Sequence, residues 1–237
     1  MARSPEQNRL ARDRARESLI HAAIDVFADH GVDGATIAEI TRRAGVAQGL
    51  VSYHFGGKDQ LVSAVIDRWF ELLFDIAHGV PVVEALAGVP PRPGPPQASS
   101  ADMRLAGIID ASLGLTAVAL PLRSVMLFLQ QTPSTRAMFA ASERRLLERA
   151  TAAEDAVRSV FRERGAADPA MEEIMLRSLL EGIAGQRVIY RDSYPLEEAR
   201  RWVHRQYGLP EPTTPLPGMP APLPPDPGSE PRARASR

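Results

Sequence analysis

The sequence of 237 residues contains no cysteine, few aromatic residues and a single lysine, Lys58. Without cysteine the chain can form neither disulfide bonds nor thiolate metal sites, which is common among proteins of a reducing compartment. It also lacks any apolar run close to the roughly 20 residues of a membrane-spanning helix, and its N-terminus has no signal-peptide core. We therefore expect a cytoplasmic protein without membrane association.

An excess of positive charge is also absent. The chain has 28 basic and 29 acidic residues, giving a net charge of −1, and arginine supplies nearly all of the positive charge. A protein that binds nucleic acid through its overall charge would be strongly basic. Any binding to nucleic acid must therefore depend on a local surface.

Signatures of catalysis and metal binding are missing from the sequence. No histidine is paired with a second ligand at metal-binding spacing, and there is no phosphate-binding loop or Gly-x-Ser-x-Gly turn. The five histidines are His21, His30, His54, His78 and His204. The sequence predicts no enzymatic activity, no metal site and no cofactor.

The segment from Thr36 to Lys58, TIAEITRRAGVAQGLVSYHFGGK, has the pattern of two short helices joined by a tight turn. Thr36 is a suitable N-cap for the first helix, and Gly45 lies where that helix must end, in a conformation that favours glycine. Such a unit can place its second helix in the major groove of DNA.

The second helix of this segment carries hydrogen-bonding and aromatic groups on its outer side. Gln48 and Ser52 are suited to base edges, and Leu50 to a thymine methyl group. Other side chains are better suited to phosphates, which fix register and affinity. The predicted DNA-binding residues are Thr36, Gln48, Gly49, Leu50, Ser52, Tyr53, His54 and Lys58.

Several basic residues within this segment and before it allow two interpretations. Arg42 and Arg43 can contact DNA or can be solvated helix charges. The same choice holds for the arginines from Arg12 to Arg16, which could reach phosphates or the minor groove. Phe55, in contrast, is expected in the core.

The segment GATIAEITRRAGVAQGLVSYHFGGKDQL resembles the N-terminal DNA-binding region of the TetR family of bacterial transcriptional regulators. The matching positions are Thr36, Ala44-Gly45-Val46, Gly49, Tyr53-His54-Phe55 and Lys58. The chain departs from the family pattern in two places: Ile40-Thr41 replaces a common Ile-Ala pair, and Ser52 stands where many members have Tyr. The resemblance covers about residues 10 to 75. It implies a dimeric regulator with a helical body that binds a small-molecule effector.

Helical periodicity continues through most of the remaining chain and predicts about nine helices with no strands. We expect an all-α fold with a three-helix head and a C-terminal bundle for ligand binding and dimerisation. The expected divisions are a flexible basic arm (1–15), the helix-turn-helix head (16–57), the helical body (58–208) with a mobile loop (79–101), and a disordered proline-rich tail (209–237).

An effector pocket between the helices of the body is implied by the resemblance. The apolar residues that could line it could equally form the ordinary core of the bundle. These candidates are Ile108, Leu113, Met126, Phe128, Leu129, Met138, Phe139, Met175 and Leu179. Gln130, Gln131, Asp110 and Arg187 are candidates to orient a ligand.

Dimerisation follows from the short DNA site that a single helix-turn-helix unit can read, and symmetric dimers contact two half-sites. The resemblance places the interface on the last two helices. The predicted interface residues are Leu179, Gly182, Ile183, Trp202 and Val203.

The sequence favours a TetR-like homodimeric regulator, most simply a repressor that binds a palindromic DNA operator and is released by a small-molecule effector. One alternative is an activator or an effector-independent DNA-binding protein. The other is a helical interaction protein that uses the proline-rich tail as a ligand for a partner.

Overall fold

The computed structural model of the chain describes residues 5–87 and 100–219. This part of the chain is all-helical, without strands. Its helices are α1 (Pro5–Gly34), α2 (Ile37–Ala44), α3 (Gly49–Phe55), α4 (Lys58–Ala77), α5 (Val82–Leu86), α6 (Ala101–Val118), α7 (Leu120–Gln131), α8 (Pro133–Arg145), α9 (Leu147–Glu163), α10 (Pro169–Tyr190) and α11 (Leu196–Gln206). A 3₁₀ turn, Arg191–Ser193, separates the last two helices. The prediction of an all-α fold is confirmed.

Helix α4 is the centre of the molecule, because it contacts helices of both the N-terminal head and the C-terminal body. Its 20 residues correspond to a length of about 30 Å. Leu61, Val65, Ile66, Trp69 and Leu72 follow helical spacing and are almost fully buried. A movement of α4 would therefore change helix contacts in both the head and the body.

The buried side chains form two clusters. The first core joins α1, α2, α3 and α4 to α5 and α7, and it includes Phe27, Ile40, Val51 and Val125. The second core lies between α6, α9, α10 and α11. The first core continues through the predicted domain boundary at Gly57, so the head is packed against the body rather than tethered to it.

Residues 5–15 are helical in the structure and do not form the predicted flexible arm. They extend α1 by three turns beyond Arg16, with mostly exposed side chains. The guanidinium of Arg12 lies 5.6 Å from the ring centre of Tyr53, a cation–π contact that holds this extension beside α3. The prediction missed it because the segment buries too little apolar surface to show helical periodicity.

Two breaks interrupt the helical geometry within longer helical regions. Gly31 has φ 70° and ψ 170°, which places a kink near the end of α1. The helical region from Pro133 to Glu163 is divided into α8 and α9 at Leu146. No proline or glycine marks this second break, so its position is absent from the local sequence signals.

The beginning of the proline-rich segment packs against the body, contrary to the prediction of disorder from Leu209 onward. Leu209 and Leu216 are buried in the second core. The backbone amide of Leu216 donates to Oε1 of Glu197 at 2.6 Å, and Arg200 donates to the carbonyl of Thr214 at 2.7 Å. The remaining tail, 220–237, and most of the predicted loop, 88–99, lie outside the described residues.

No single helix within 5–87 or 100–219 is both long and apolar enough to span a membrane. Helices α6 and α7 meet this criterion only as a pair, and they are bent by 92° relative to each other.

Candidate nucleic-acid interface

Helix α2 and the turn after it have the geometry that the sequence predicts. Oγ1 of Thr36 accepts a hydrogen bond from the amide of Glu39 at 3.2 Å and so caps the helix. Gly45 ends the helix in the left-handed conformation, with φ 68°. Its amide and that of Val46 donate to the carbonyls of Arg42 and Thr41, which closes the turn into α3. Thr36 therefore acts as a cap in the free protein, whatever else it contacts.

The exposed side of α3 presents Gln48, Gly49, Ser52 and Tyr53 to solvent. Tyr53 is 61% exposed, a large value for an aromatic residue. Gln48 precedes the helix without making a side-chain capping bond, so its amide is free to form hydrogen bonds to another molecule. These four residues form a continuous polar and aromatic surface that can enter a groove of DNA.

The other side of α3 attaches the helix to the first core. Val51 is fully buried, and Leu50 and Phe55 are half-buried against the same cluster. The burial of Phe55 agrees with expectation, whereas Leu50 contributes part of its surface to packing. Leu50 is therefore less available to a DNA base than Ser52 or Tyr53.

Two arginines of α1 lie against aromatic side chains of α3. Arg12 lies over Tyr53, and the guanidinium of Arg16 lies 5.4 Å from the ring centre of Phe55. Burial, followed by the charges of Arg12 and Arg16, lowers the pKa of His54 below its ordinary value. At neutral pH His54 is thus an uncharged hydrogen-bonding group, while the positive charge beside α3 comes from α1.

Arg42 and Arg43 have different environments in the structure. Arg43 pairs with Asp25 at 3.2 Å and with Asp29 at 3.3 Å, which ties α2 to α1. Arg42 points to solvent, with 77% of its side chain exposed and Glu39 only at 4.0 Å. Arg42 is therefore the more available of the two for contact with a phosphate.

Lys58 is the first residue of α4, three residues after the end of α3. Its Nζ lies 3.4 Å from the carbonyl oxygen of Asp33, and its side chain is partly exposed. This weak contact leaves most of its hydrogen-bonding capacity unused.

The body contains a cavity of about 470 Å³ between α4, α8, α9 and α10, with α6 and α7 contributing to its wall. The apolar lining includes Phe70, Leu73 and Phe74 of α4, and Leu176 and Leu180 of α10. A cavity of this size and composition can hold a small organic molecule.

Of the nine residues predicted to line a pocket, only Ile108 lines this cavity. Leu113, Met126 and Leu129 are buried in the two cores, and Met138, Phe139 and Leu179 are partly buried beside them. Phe128 and Met175 are 64% and 55% exposed. Helical periodicity identified apolar positions, but it does not show which side of each helix faces a gap. The four residues proposed to orient a ligand do not line this cavity: Gln130, Gln131, Asp110 and Arg187.

Sequence reasoning missed Arg123, a charged residue inside the apolar segment LRSVMLFLQQ. Arg123 lines the cavity with only 3% of its side chain exposed, and its guanidinium lies 4.3 Å from the ring centre of Trp69. An arginine in such an apolar run was the available signal, because buried arginines need specific partners.

The predicted dimer residues fall into two groups. Ile183 and Val203 are buried in the second core of the protomer itself, so they are not available to a second copy. Gly182 and Trp202 are exposed, and Leu179 is half-buried. Several other large apolar side chains of α10 are exposed and extend the same helix surface: Met171, Ile174, Met175, Ile189 and Tyr190.

Comparison with known families identifies the N-terminal part of the chain. Residues 19–65 match the family model of bacterial regulatory proteins, tetR family. These residues include the buried face of α1, all of α2 and α3, and the start of α4.

Curated relatives match over the same part of the chain. The HTH-type transcriptional regulator BetI 1 of Chromohalobacter salexigens is 40% identical over 65 residues, which are 27% of this chain and 31% of the relative. The HTH-type transcriptional repressor Rv3405c of Mycobacterium tuberculosis is 40% identical over 67 residues, which are 28% and 36% of the two chains. The chain thus matches about a third of the length of these relatives.

Solved structures match over most of the chain. The fatty acid degradation regulator FadR of Bacillus halodurans has a TM-score of 0.62 at 17% identity and covers 86% of this chain and 95% of its own. FadR of Bacillus subtilis, solved with stearoyl-CoA, has a TM-score of 0.59 at 19% identity. The match covers 80% of this chain and 95% of that FadR chain. The resemblance to the TetR family is confirmed: residues 19–65 match the tetR-family model, and the chain shares the helical fold of these solved regulators.

Proposed function

We propose that the protein is a TetR-like transcriptional regulator that binds a palindromic operator as a homodimer through α3. The observation that supports this most directly is the exposed surface of Gln48, Ser52 and Tyr53, with Arg12 beside it. The surface contains base-reading side chains and a local positive charge, although the net charge of the chain is −1. The attraction to DNA phosphates then comes from the basic residues near α3, because the net charge of the whole chain provides none.

Within this proposal the predicted contacts divide by exposure. Gln48 and Ser52 contact base edges, whereas Tyr53 and Lys58 contact phosphates. His54 accepts or donates a hydrogen bond as a neutral ring. The head, 16–57, reads DNA, and the body, 58–208, carries the effector cavity and the dimer surface.

A dimer surface on α10 is supported by the exposed apolar side chains along that helix. A Cβ atom added at Gly182 or Gly185 would meet no atom within 4 Å in the protomer. These glycines therefore leave room on the surface, and a second helix could approach closely there. Contiguous exposed apolar surface of this kind marks interaction sites.

Release by an effector is supported by the position of the cavity. Phe70, Leu73 and Phe74 line it from α4, and the same helix packs against α1 and α3 of the head. A ligand that binds two orientations of α4 with different affinities shifts the population between them. We propose repression with release by the effector, as the repressor among the relatives suggests.

Selection of bound fragments from random duplex DNA tests this function. The full chain is expected to enrich a palindrome, and Ser52→Ala or Gln48→Ala is expected to relax the preference at single positions by about 1–3 kcal/mol. Arg144→Ala, in the body, is the matched control and should leave the motif unchanged. Failure to enrich any palindrome would reject the proposal.

The dimer is tested separately by sedimentation of Gly182→Leu at micromolar concentration. The position is exposed, an added Cβ atom meets no atom within 4 Å in the protomer, and leucine has a higher helix propensity, so the fold should be retained. We expect dissociation to monomers and weaker DNA binding. An unchanged dimer would place the interface elsewhere.

A further inference from the structure

Arg123 is a buried cation whose hydrogen-bonding capacity is incompletely used. Its Nη1 donates to Oε1 of Glu181 at 2.7 Å, but its Nε is buried and has no hydrogen-bond partner. A guanidinium has five N–H donors, and leaving a buried donor without a partner costs free energy. Because Arg123 lines the cavity, a ligand there can provide the missing acceptor.

The partner of Arg123 can be replaced without burying a new charge. Glu181 is 45% exposed at its side chain, so its carboxylate can return to solvent. The guanidinium would remain in place, because it lies 4.3 Å from the ring centre of Trp69. The site can therefore exchange an internal carboxylate for one that belongs to a ligand.

The other charged groups of the cavity do not offer an equivalent site for a cation. Glu173, which is buried, pairs with Arg158 at 3.4 Å and with Arg177 at 3.2 Å. Glu154 pairs with Arg158 at 2.8 Å. Within the described part of the chain, the remaining acid of the lining, Glu143, is exposed on α8 next to Arg144. Each buried or partly buried acid of the lining is thus already paired with an arginine, so a positively charged ligand would have no unpaired buried acid to bind.

The space between the charged ends of the cavity is apolar. Glu173 and Glu181 are eight residues apart on α10, a distance of about 12 Å along the helix. Leu176 and Leu180 lie between them on the lining face, opposite Phe70 and Phe74 of α4. An extended hydrocarbon or aromatic group fits this lining.

We propose that the effector is an amphipathic carboxylate, whose carboxylate binds Arg123 in place of Glu181 and whose apolar part occupies the space between α4 and α10. This inference rests on the proposed function and specifies its ligand. Ser112, which also lines the cavity, offers a second donor. Arg123 belongs to α7, which packs against α1 of the head and α10 of the body, so the exchange loosens a link between the two.

Calorimetric titration of the full chain without DNA tests the ligand class. The probes are decanoate, decan-1-ol and decyltrimethylammonium, which share a hydrocarbon chain and differ in their head groups. We expect decanoate to bind most tightly, by about tenfold or more over the alcohol, as for one charge-assisted hydrogen bond. Tighter binding of the ammonium compound, equal binding of all three, or no binding of decanoate would overturn the proposal.

Two variants connect the binding to Arg123. Arg123→Met should remove the preference for decanoate over the alcohol, with its helicity confirmed by circular dichroism. Glu181→Gln changes an exposed side chain and should retain the fold. It removes the competing carboxylate, so decanoate should bind several-fold more tightly, with no change for the alcohol. Glu148→Gln, which changes the same charge outside the cavity, is the matched control, and an equal effect of Glu181→Gln and Glu148→Gln would contradict the exchange.

Parallel DNA binding separates this inference from the proposed function. A chain that binds a selected palindrome but does not bind decanoate would reject only the ligand class. A chain that binds decanoate but no palindrome would reject the regulator and retain the carboxylate site. Release of the palindrome by decanoate in the original chain, lost in Arg123→Met, would support both.

Discussion

Nε2 of His204 lies 2.9 Å from Oδ1 of Asp110, while Nδ1 of the same ring lies 2.8 Å from the carbonyl oxygen of Pro210. Both neighbours are acceptors, so both ring nitrogens must donate, and this requires the protonated imidazolium. Arg200 donates to the same oxygen of Asp110 at 2.7 Å. The cluster joins α6 and α11 to the start of the proline-rich segment.

The first prediction concerns pH. Burial alone would lower the pKa of His204, but the hydrogen bonds to Asp110 and Pro210 outweigh it and raise that pKa above its ordinary value. The resulting stability is present below the unfolded-state pKa of about 6.5 and is lost as pH rises through the folded pKa. Urea unfolding from about pH 5 to about pH 9 should show this decrease.

The histidine variants provide the control for that measurement. His204→Gln should reduce the dependence on pH, whereas His21→Gln, which changes an exposed ring, should leave it intact. Asp110 adds an effect at low pH: burial would raise its pKa, but hydrogen bonds from His204 and Arg200 lower it. Its stabilisation is present above an unfolded-state pKa of about 3.9 and is lost as pH falls through the folded value. An identical pH profile for His204→Gln and the original chain would contradict the assignment.

The second prediction concerns the packed part of the proline-rich segment. Leu216→Ala removes a side chain that is 3% exposed, so it should lower the free energy of unfolding by about 2–3 kcal/mol. Thr213→Ala, at an exposed position three residues earlier, should change it by less than about 0.5 kcal/mol. Equal stability of the two variants in urea would mean that the segment is not packed in solution.

The third prediction concerns Lys58. Lys58→Ala should weaken binding to all DNA sequences and reduce the slope of log K against log salt by about one unit. Lys58→Arg is the matched variant, since it keeps the charge and should keep the slope. Binding measured over a range of salt concentrations distinguishes the two, and an unchanged slope in Lys58→Ala would exclude a phosphate contact.

The fourth prediction concerns Arg12 and Tyr53. Their cation–π contact fixes the position of an exposed ring, so Arg12→Ala and Tyr53→Ala should each weaken DNA binding, and their effects should not be additive. Arg43→Ala is the control for loss of an arginine, because Arg43 pairs with Asp25 and Asp29 rather than facing the groove. Strict additivity in the double-mutant cycle would show that Arg12 and Tyr53 act independently.

The head could be predicted from the sequence because its signals are local. The cap at Thr36 and the left-handed turn at Gly45 depend on neighbours within a few residues, and both are where the sequence placed them. The family match follows from the same spacing. The DNA contacts themselves remain predictions.

The cavity, the exposed apolar surface of α10 and the packed segment required the tertiary structure, since they depend on residues far apart in sequence. Arg123 pairs with Glu181 and stacks on Trp69, which belong to two other helices. Glu197 accepts a hydrogen bond from the amide of Leu216, 19 residues later in the chain. Periodicity identified Ile183 and Val203 as apolar, but only packing showed that they face their own core. The sequence determined the fold class, the caps of the head and the apolar faces of the helices. The packing of those faces decided which residues remain free to bind, because exposure is a property of the assembled fold.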